Sequence, residues 1–226
     1  MTRLVVVLLA AVLWATAAPG QPVTAPPVDE ATQAPDFAAY RDRLLEAVVG
    51  RDIESILSMA SENIRLSFGG ASGRAALRDF LEVPSEDFAP ERRHEAPAMR
   101  ERNWADLETV LRMGGRFDGE RRFVAPYTFT YAPPDDIDPF EALFVTGTGV
   151  AMRGRPIRYG AVLDRLDHEV VRLRDWVSGT SYVGVERTDG AKGYVHEDYL
   201  RAYLDYRAIF EQVDGEWTMT AFIAGD

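Results

Sequence analysis

Apolar positions in the first half of the chain recur at three- and four-residue intervals, the spacing of helix faces. Phe37, Tyr40, Leu44 and Val48 share one face, with Asp36 placed to cap the helix and Gly50 to stop it. Asp52 is the expected cap of a second helix carrying Ile53, Ile56, Leu57 and Ala60 on one side. Ile64, Leu66 and Phe68 alternate as a short extended segment before Gly69-Gly70. A third helix presents Leu77, Phe80 and Leu81 and ends before Pro84. Residues 85–102 are charged without a clear period and read as a surface loop with a helical turn. Asn103 then reads as the cap of a fourth helix bearing Trp104, Leu107, Val110 and Leu111, closed by Gly114-Gly115.

Beyond residue 120 the period changes from near four to two. Phe123, Ala125, Tyr127, Phe129 and Tyr131 alternate strictly, which predicts one half-buried strand up to Pro133-Pro134. Further short strands follow at 144–152, at Val162-Leu163, at Val170, Val171 and Leu173, and at Tyr182, Val183 and Val185. Their regular spacing argues for a small barrel. At the end, Ala208-Ile209-Phe210 and residues 217–222 flank Asp214-Gly215, a strong hairpin signal.

Residues 188–200 carry the most distinctive local pattern. A Thr188-Asp189-Gly190 turn leads to Gly193-Tyr194-Val195, then His196-Glu197-Asp198-Tyr199 as a short helical turn and Leu200 as a buried leucine. This resembles the closing segment of bacterial SH3-like (SH3b) domains. Gly149-Val150-Ala151-Met152-Arg153 is similar to that family's opening strand, and Gly160-Ala161-Val162-Leu163 to the start of its second. Tyr182-Val183-Gly184-Val185 stands where the family has Trp-x-x-Val, and the arginine-rich loop after Met152 is a second departure. The resemblance implies a small barrel over residues 145–201 that recognises cell-wall peptides or protein partners. Tyr182, Tyr194 and Tyr199 are the candidate ligand-contacting patch, since tyrosine offers rigid contact area with a polar tip.

The flanks are similar, more faintly, to NTF2-like α+β domains: N-terminal helices, Phe68-Gly69-Gly70, and a last hairpin with Trp217, Phe222, Gly225 and Asp226. Two arrangements stay open. The hairpin returns to the N-terminal helices, leaving the SH3-like unit as an insertion, or it extends the barrel. The expected fold is thus α+β: a helical region with leading strands at 36–144, an SH3-like barrel at 145–201 and a C-terminal hairpin at 202–226.

Before residue 36 the chain reads as address and tether. Arg3 precedes an eleven-residue apolar run from Leu4 to Trp14, and Ala15-Thr16-Ala17 fits a small-x-small cleavage site, so residues 1–18 are expected to be a secretory signal peptide. Residues 19–35, rich in proline, read as an extended linker. The protein is expected to be periplasmic or secreted, without an integral membrane segment once the signal is removed. A hydrophobic content of 46% supports real cores, and zero cysteines exclude disulfides, thiol nucleophiles and thiolate metal sites. A formal net charge of −11 argues against nucleic acid and anionic lipid as partners.

Catalytic templates do not fit. The chain has no His-Glu-x-x-His, no phosphate loop, and only a wrongly spaced Gly70-Ala71-Ser72-Gly73 in place of a nucleophile elbow. His196 beside Glu197 and Asp198 could serve a proton relay but reads better as a solvated turn. Asp135, Asp136, Asp138 and Glu141 could offer oxygens to Ca²⁺, yet lack the alternate spacing and glycine of an EF loop. The sequence therefore reads as a noncatalytic binding or scaffold protein, with no cofactor and no metal, directed to a peptide, peptidoglycan or an envelope protein. The alternative is a small-molecule-binding or enzymatic NTF2-like domain with the SH3-like unit inserted.

Overall fold

The structure, a computed structural model, describes residues 22–225; the expected signal peptide and the start of the linker lie outside them. The fold is α+β, with four α-helices, all in the first half of the chain, and two β-sheets among the described residues. Helix α1 spans Pro35–Val49, α2 Ile53–Met59, α3 Gly73–Glu82 and α4 Ala96–Arg112. In sequence order the strands are β1 Ala60–Arg65, β2 Arg116–Phe117, β3 Arg122–Ala125, β4 Ala142–Val145, β5 Val150–Arg153 and β6 Val162–Leu166. They continue as β7 Val170–Trp176, β8 Tyr182–Arg187, β9 Lys192–His196, β10 Leu200–Ala202, β11 Arg207–Val213 and β12 Glu216–Ile223.

The first lobe joins the helices to a five-stranded sheet of order β1-β12-β11-β3-β2. Strand β1 runs parallel to β12, and the other neighbours are antiparallel. The C-terminal hairpin therefore sits in the middle of the N-terminal sheet. Its turn forms at Asp214-Gly215, where φ is 53° and 87°; consecutive left-handed residues match the twist of a two-residue hairpin. Opposite Ile209 and Phe210 the register slips by one residue, at Thr220. This bulge lets Trp217, Met219 and Phe222 all join the core shared with the helices, while Ile209, Ala221 and Ile223 form a separate cluster. On the helix side, Phe37 stands at the centre, with ring centroids 4.3 Å from Phe123, 4.8 Å from Trp217 and 5.4 Å from Phe210. Trp217 Nε1 donates to Asp36 at 2.8 Å, which ties the last strand to the first helix. That bond, the main cause, holds the Asp36 carboxyl below its usual range.

Everything between β3 and β11, which pair with each other, belongs to the second lobe or its connections. That lobe is a seven-stranded antiparallel sheet of order β10-β4-β7-β8-β9-β5-β6. It curls around a small aliphatic core that includes Leu143, Val150, Met152, Leu166, Val171, Val185 and Val195. Strands β6 and β10 end the sheet without pairing, so it does not close into a barrel by hydrogen bonds.

Four local expectations are corrected. The alternating run at 123–131 is not one strand: β3 ends at Ala125, Pro126 supplies no amide hydrogen, and Tyr127–Thr130 form a 3₁₀ turn. The run at 144–152 is two strands, separated by a bend at 146–149. Helix α4 begins at Ala96 with proline in its first turn, so Asn103 lies inside it and donates to the Phe80 carbonyl at 2.6 Å instead of capping. Asp36 lies in the first turn of α1, whose cap is Ala34. Asp52 does cap α2, accepting from the Ser55 amide at 3.1 Å.

The described part of the linker is extended only as far as residue 30, then turns through a 3₁₀ segment, Ala31–Gln33, into α1, and it is docked on both lobes. The amides of Ala25 and Val170 donate to the carbonyls of His168 and Val23 at 2.7 and 2.8 Å, adding a short bridge beside β7. Glu30 then accepts from the Phe117 amide at 2.9 Å, and Asp29 pairs with Arg41 of α1 at 2.7 Å. This strap spans the joint between the sheets.

Candidate binding groove

The groove is built by strand alternation on the second lobe. In β9, Val195 points into the aliphatic core, so Tyr194 and His196 stand on the opposite face. Gly193 lies under β5, where an added Cβ would stand 2.5 Å from Met152 Cγ; only glycine allows that approach without a shift. His196 is paired in register with Tyr182 of β8, and Arg153 of β5 with Tyr194. The chain then turns through the 3₁₀ segment Glu197–Tyr199 into β10. His196 caps that turn, its Nδ1 3.4 Å from the Asp198 amide and 3.4 Å from Asp198 Oδ2. Glu197 and Asp198 are exposed, and Leu200, expected to be buried, is half-buried against the aliphatic core.

The result is an aromatic row beside the turn. Tyr182 and His196 meet edge to face at 5.1 Å, and His196 and Tyr199 at 6.4 Å. Tyr182 is 9% exposed and Tyr199 50%, so the row runs from an anchored ring to an open one. Together with Arg153, Arg158 and Asp198 these three rings line a cavity of about 380 Å³. Of the tyrosines singled out from sequence, Tyr182 and Tyr199 are brought together; Tyr194 shares their sheet face but does not line the cavity. Sequence reasoning missed Arg153, Arg158 and the placement of His196 between two tyrosines. The signal for His196 was present in the alternation of residues 192–196.

Other candidate chemistry is dispersed or engaged. Arg172 takes both the carbonyl and the carboxylate of Asp136 and lies 3.8 Å from Glu141, while Asp138 accepts from the Phe140 amide. Those acids are thus turned to an arginine and to their own loop, and no cluster of three His, Cys, Asp or Glu among the described residues is arranged to hold a metal. Behind the groove face, the half-buried Arg187 reaches Glu169 at 2.9 Å, Asp164 at 2.5 Å and Asp189 at 3.3 Å. Burial pushes the Glu169 carboxyl up, and Arg187 opposes that shift. Where the two lobes meet, Arg201 pairs with Asp205 at 3.3 Å and donates to the Tyr206 carbonyl, and Tyr206 stacks on Phe222 at 4.8 Å. Burial lowers the Arg201 guanidinium and raises the Asp106 carboxyl on the neighbouring helix. Between the helices and the C-terminal hairpin, where the alternative small-molecule reading needs a cavity, the rings of Phe37, Phe117, Phe123 and Trp217 are packed 4.3–6.1 Å apart. Among the described residues, no helix is long and apolar enough to cross a membrane. Set against protein-family models, curated proteins and solved structures, the chain matches none.

Proposed function

We propose that this protein is an exported, noncatalytic binding protein whose seven-stranded unit is SH3-like and recognises a short peptide segment, borne by the cell wall or by an envelope protein. The observation that carries the reading is the row Tyr182, His196, Tyr199 along an open cavity beside the 3₁₀ turn. Rigid rings with polar tips, one anchored and one exposed, are what a recognition surface uses to gain contact area at low entropic cost. Strand–3₁₀–strand closure over residues 192–202 supports the SH3-like assignment, as does the antiparallel order of β7, β8 and β9. No serine, threonine or lysine lines the cavity, and the His196 Nδ1 is engaged by the turn it caps, so binding suits the site better than nucleophilic chemistry.

The test is sedimentation of the purified mature chain with insoluble peptidoglycan and, in parallel, capture on immobilised envelope proteins. Tyr199→Ala and Tyr182→Ala variants with unchanged circular dichroism serve as groove knock-outs. Saturable binding lost in either folded variant is the expected result. Binding retained in both would place recognition elsewhere on the molecule.

A further inference from the structure

The groove's chemistry narrows what such a segment must carry. The loop between β5 and β6 contributes Arg158 to the groove's lining, and residues 153–160 hold three arginines, Arg153, Arg155 and Arg158, and no acid. In a chain with 36 acidic side chains that local excess of cations runs against the average. Arg153 is fixed by donation to the Gly160 carbonyl at 2.9 Å, which closes the loop and leaves its other N–H groups available to the cavity that it lines. Arg158 also lines the cavity, is exposed, and has no acidic partner among the described residues; the same holds for Arg155. The nearby Asp164 is spent on Arg187. One acid, Asp198, lines the cavity, 3.4 Å from His196. The remaining negative charge of the protein acts through solvent, where it is damped over a length of about 8 Å at physiological salt. Locally, then, two guanidinium groups face one carboxylate.

We infer that the groove recognises a peptide carboxylate, held by Arg153 and Arg158 while the flanking apolar side chain lies against Tyr182 and Tyr199. This rests on the groove reading above and adds to it the charge of the ligand. Guanidinium suits such a ligand because its planar fork takes a carboxylate through two parallel hydrogen bonds, which fixes direction as well as charge. Tyr159, 88% exposed at the tip of the same loop, and Ile157, 45% exposed, extend the apolar part of the surface next to the cations. A side-chain carboxylate and a C-terminal carboxylate offer the same chemistry, and the test separates them.

The experiment is an amide-resolved NMR titration of the mature chain with three hexapeptides. One alternates Glu and Val with both ends capped; the second replaces Glu by Gln and is capped; the third is the Gln peptide with a free C-terminus. Expected are shifts at Tyr182, His196 and Tyr199 with the first or third peptide, and affinity at least about tenfold weaker for the second, the scale of one charged hydrogen bond. Whichever of the first and third binds identifies the carboxylate. Arg158→Glu should weaken that peptide by about tenfold or more, while Arg43→Glu on α1, with the same change in net charge, should not. Equal binding of the capped Gln peptide, or no effect of Arg158→Glu, overturns the carboxylate inference and leaves the groove reading intact. If none of the peptides shifts the groove at millimolar concentration, the inference fails; the sedimentation result with the tyrosine variants then decides separately whether the groove reading survives.

Discussion

The two lobes place their aromatic residues oppositely. In the first, Phe37, Phe123, Phe210, Trp217 and Phe222 lie inside, filling the wide gap between the helices and the five-stranded sheet. In the second, the interior is valine, leucine and methionine, and Tyr159, Trp176 and Tyr199 stand in water at 88%, 64% and 50% exposure. A sheet curled on itself encloses too little space for rings and is filled by small branched side chains. Rings in the second lobe therefore go to its surface or to its borders with the strap and the first lobe, and where they line a cavity they are free to meet a ligand. The same residue type is core in one lobe and exposed surface in the other.

The comparison is broken most severely at Phe37. Its ring touches five other aromatic side chains and is fully buried, so Phe37→Ala should cost about 3–5 kcal/mol, measured as the shift in urea midpoint at constant slope. Val195→Ala, the corresponding deletion in the aliphatic core, removes a smaller side chain and should cost about 2 kcal/mol. If the two substitutions were equal in effect, the contrast between the cores would carry no energetic weight.

How much of this was legible in the sequence follows from the range of the interactions. Helix α1 could be read from Phe37, Tyr40, Leu44 and Val48 because periodicity is local, and the Asp214-Gly215 hairpin because its turn chemistry is local. The partners of that hairpin were legible only as one of two open arrangements, return to the N-terminal region or extension of the barrel, and the strand pairing itself was not. Nothing within residues 207–223 says that β12 pairs with β1, more than 150 residues earlier, in parallel. Pro126 misled in the other direction: the alternation of rings across it is genuine, but the chain turns there, so that Tyr127 is buried beyond the end of the strand. In the groove, Tyr182 and Tyr199 could be singled out by type and motif. Arg158 could not, because its place in the cavity lining depends on how its loop sits beside residues of β8 and β9, and sequence shows only that the loop is rich in arginine.

A smaller break in the comparison lies in the second lobe's charges. There the half-buried Arg187 meets the buried Glu169 and, at its margin, Asp164 and Asp189. Arg187→Met should cost about 3 kcal/mol, because it leaves Glu169, 7% exposed, without its counter-charge. Adding Glu169→Met should restore much of the loss. The pH dependence has a definite sign. Burial already raises the Glu169 carboxyl above its ordinary value of 4.5, and without Arg187 it rises further. The folded state of the variant then holds that proton more tightly than the unfolded chain does. Its stability should fall as pH rises from about the ordinary glutamate range through the raised folded value, relative to wild type. Urea midpoints of both proteins across that range check it; parallel curves would mean that Glu169 is not held by Arg187.

The smallest effect on stability should come from the most exposed ring of the groove. Tyr199 is half in water, 6.4 Å from His196, and its backbone rather than its ring holds the turn: the Tyr199 carbonyl accepts from the Thr146 amide at 2.9 Å. Tyr199→Ala should therefore shift stability by no more than about 0.5 kcal/mol, the range for surface sites, while removing a central contact of the groove. The same deletion of a ring that strongly destabilises the first lobe should leave the second folded and, on the proposed reading, unable to bind. A Tyr199→Ala variant that melts several degrees early would mean that this ring belongs to the core after all, and the division of aromatic residues between the lobes would then be one of degree.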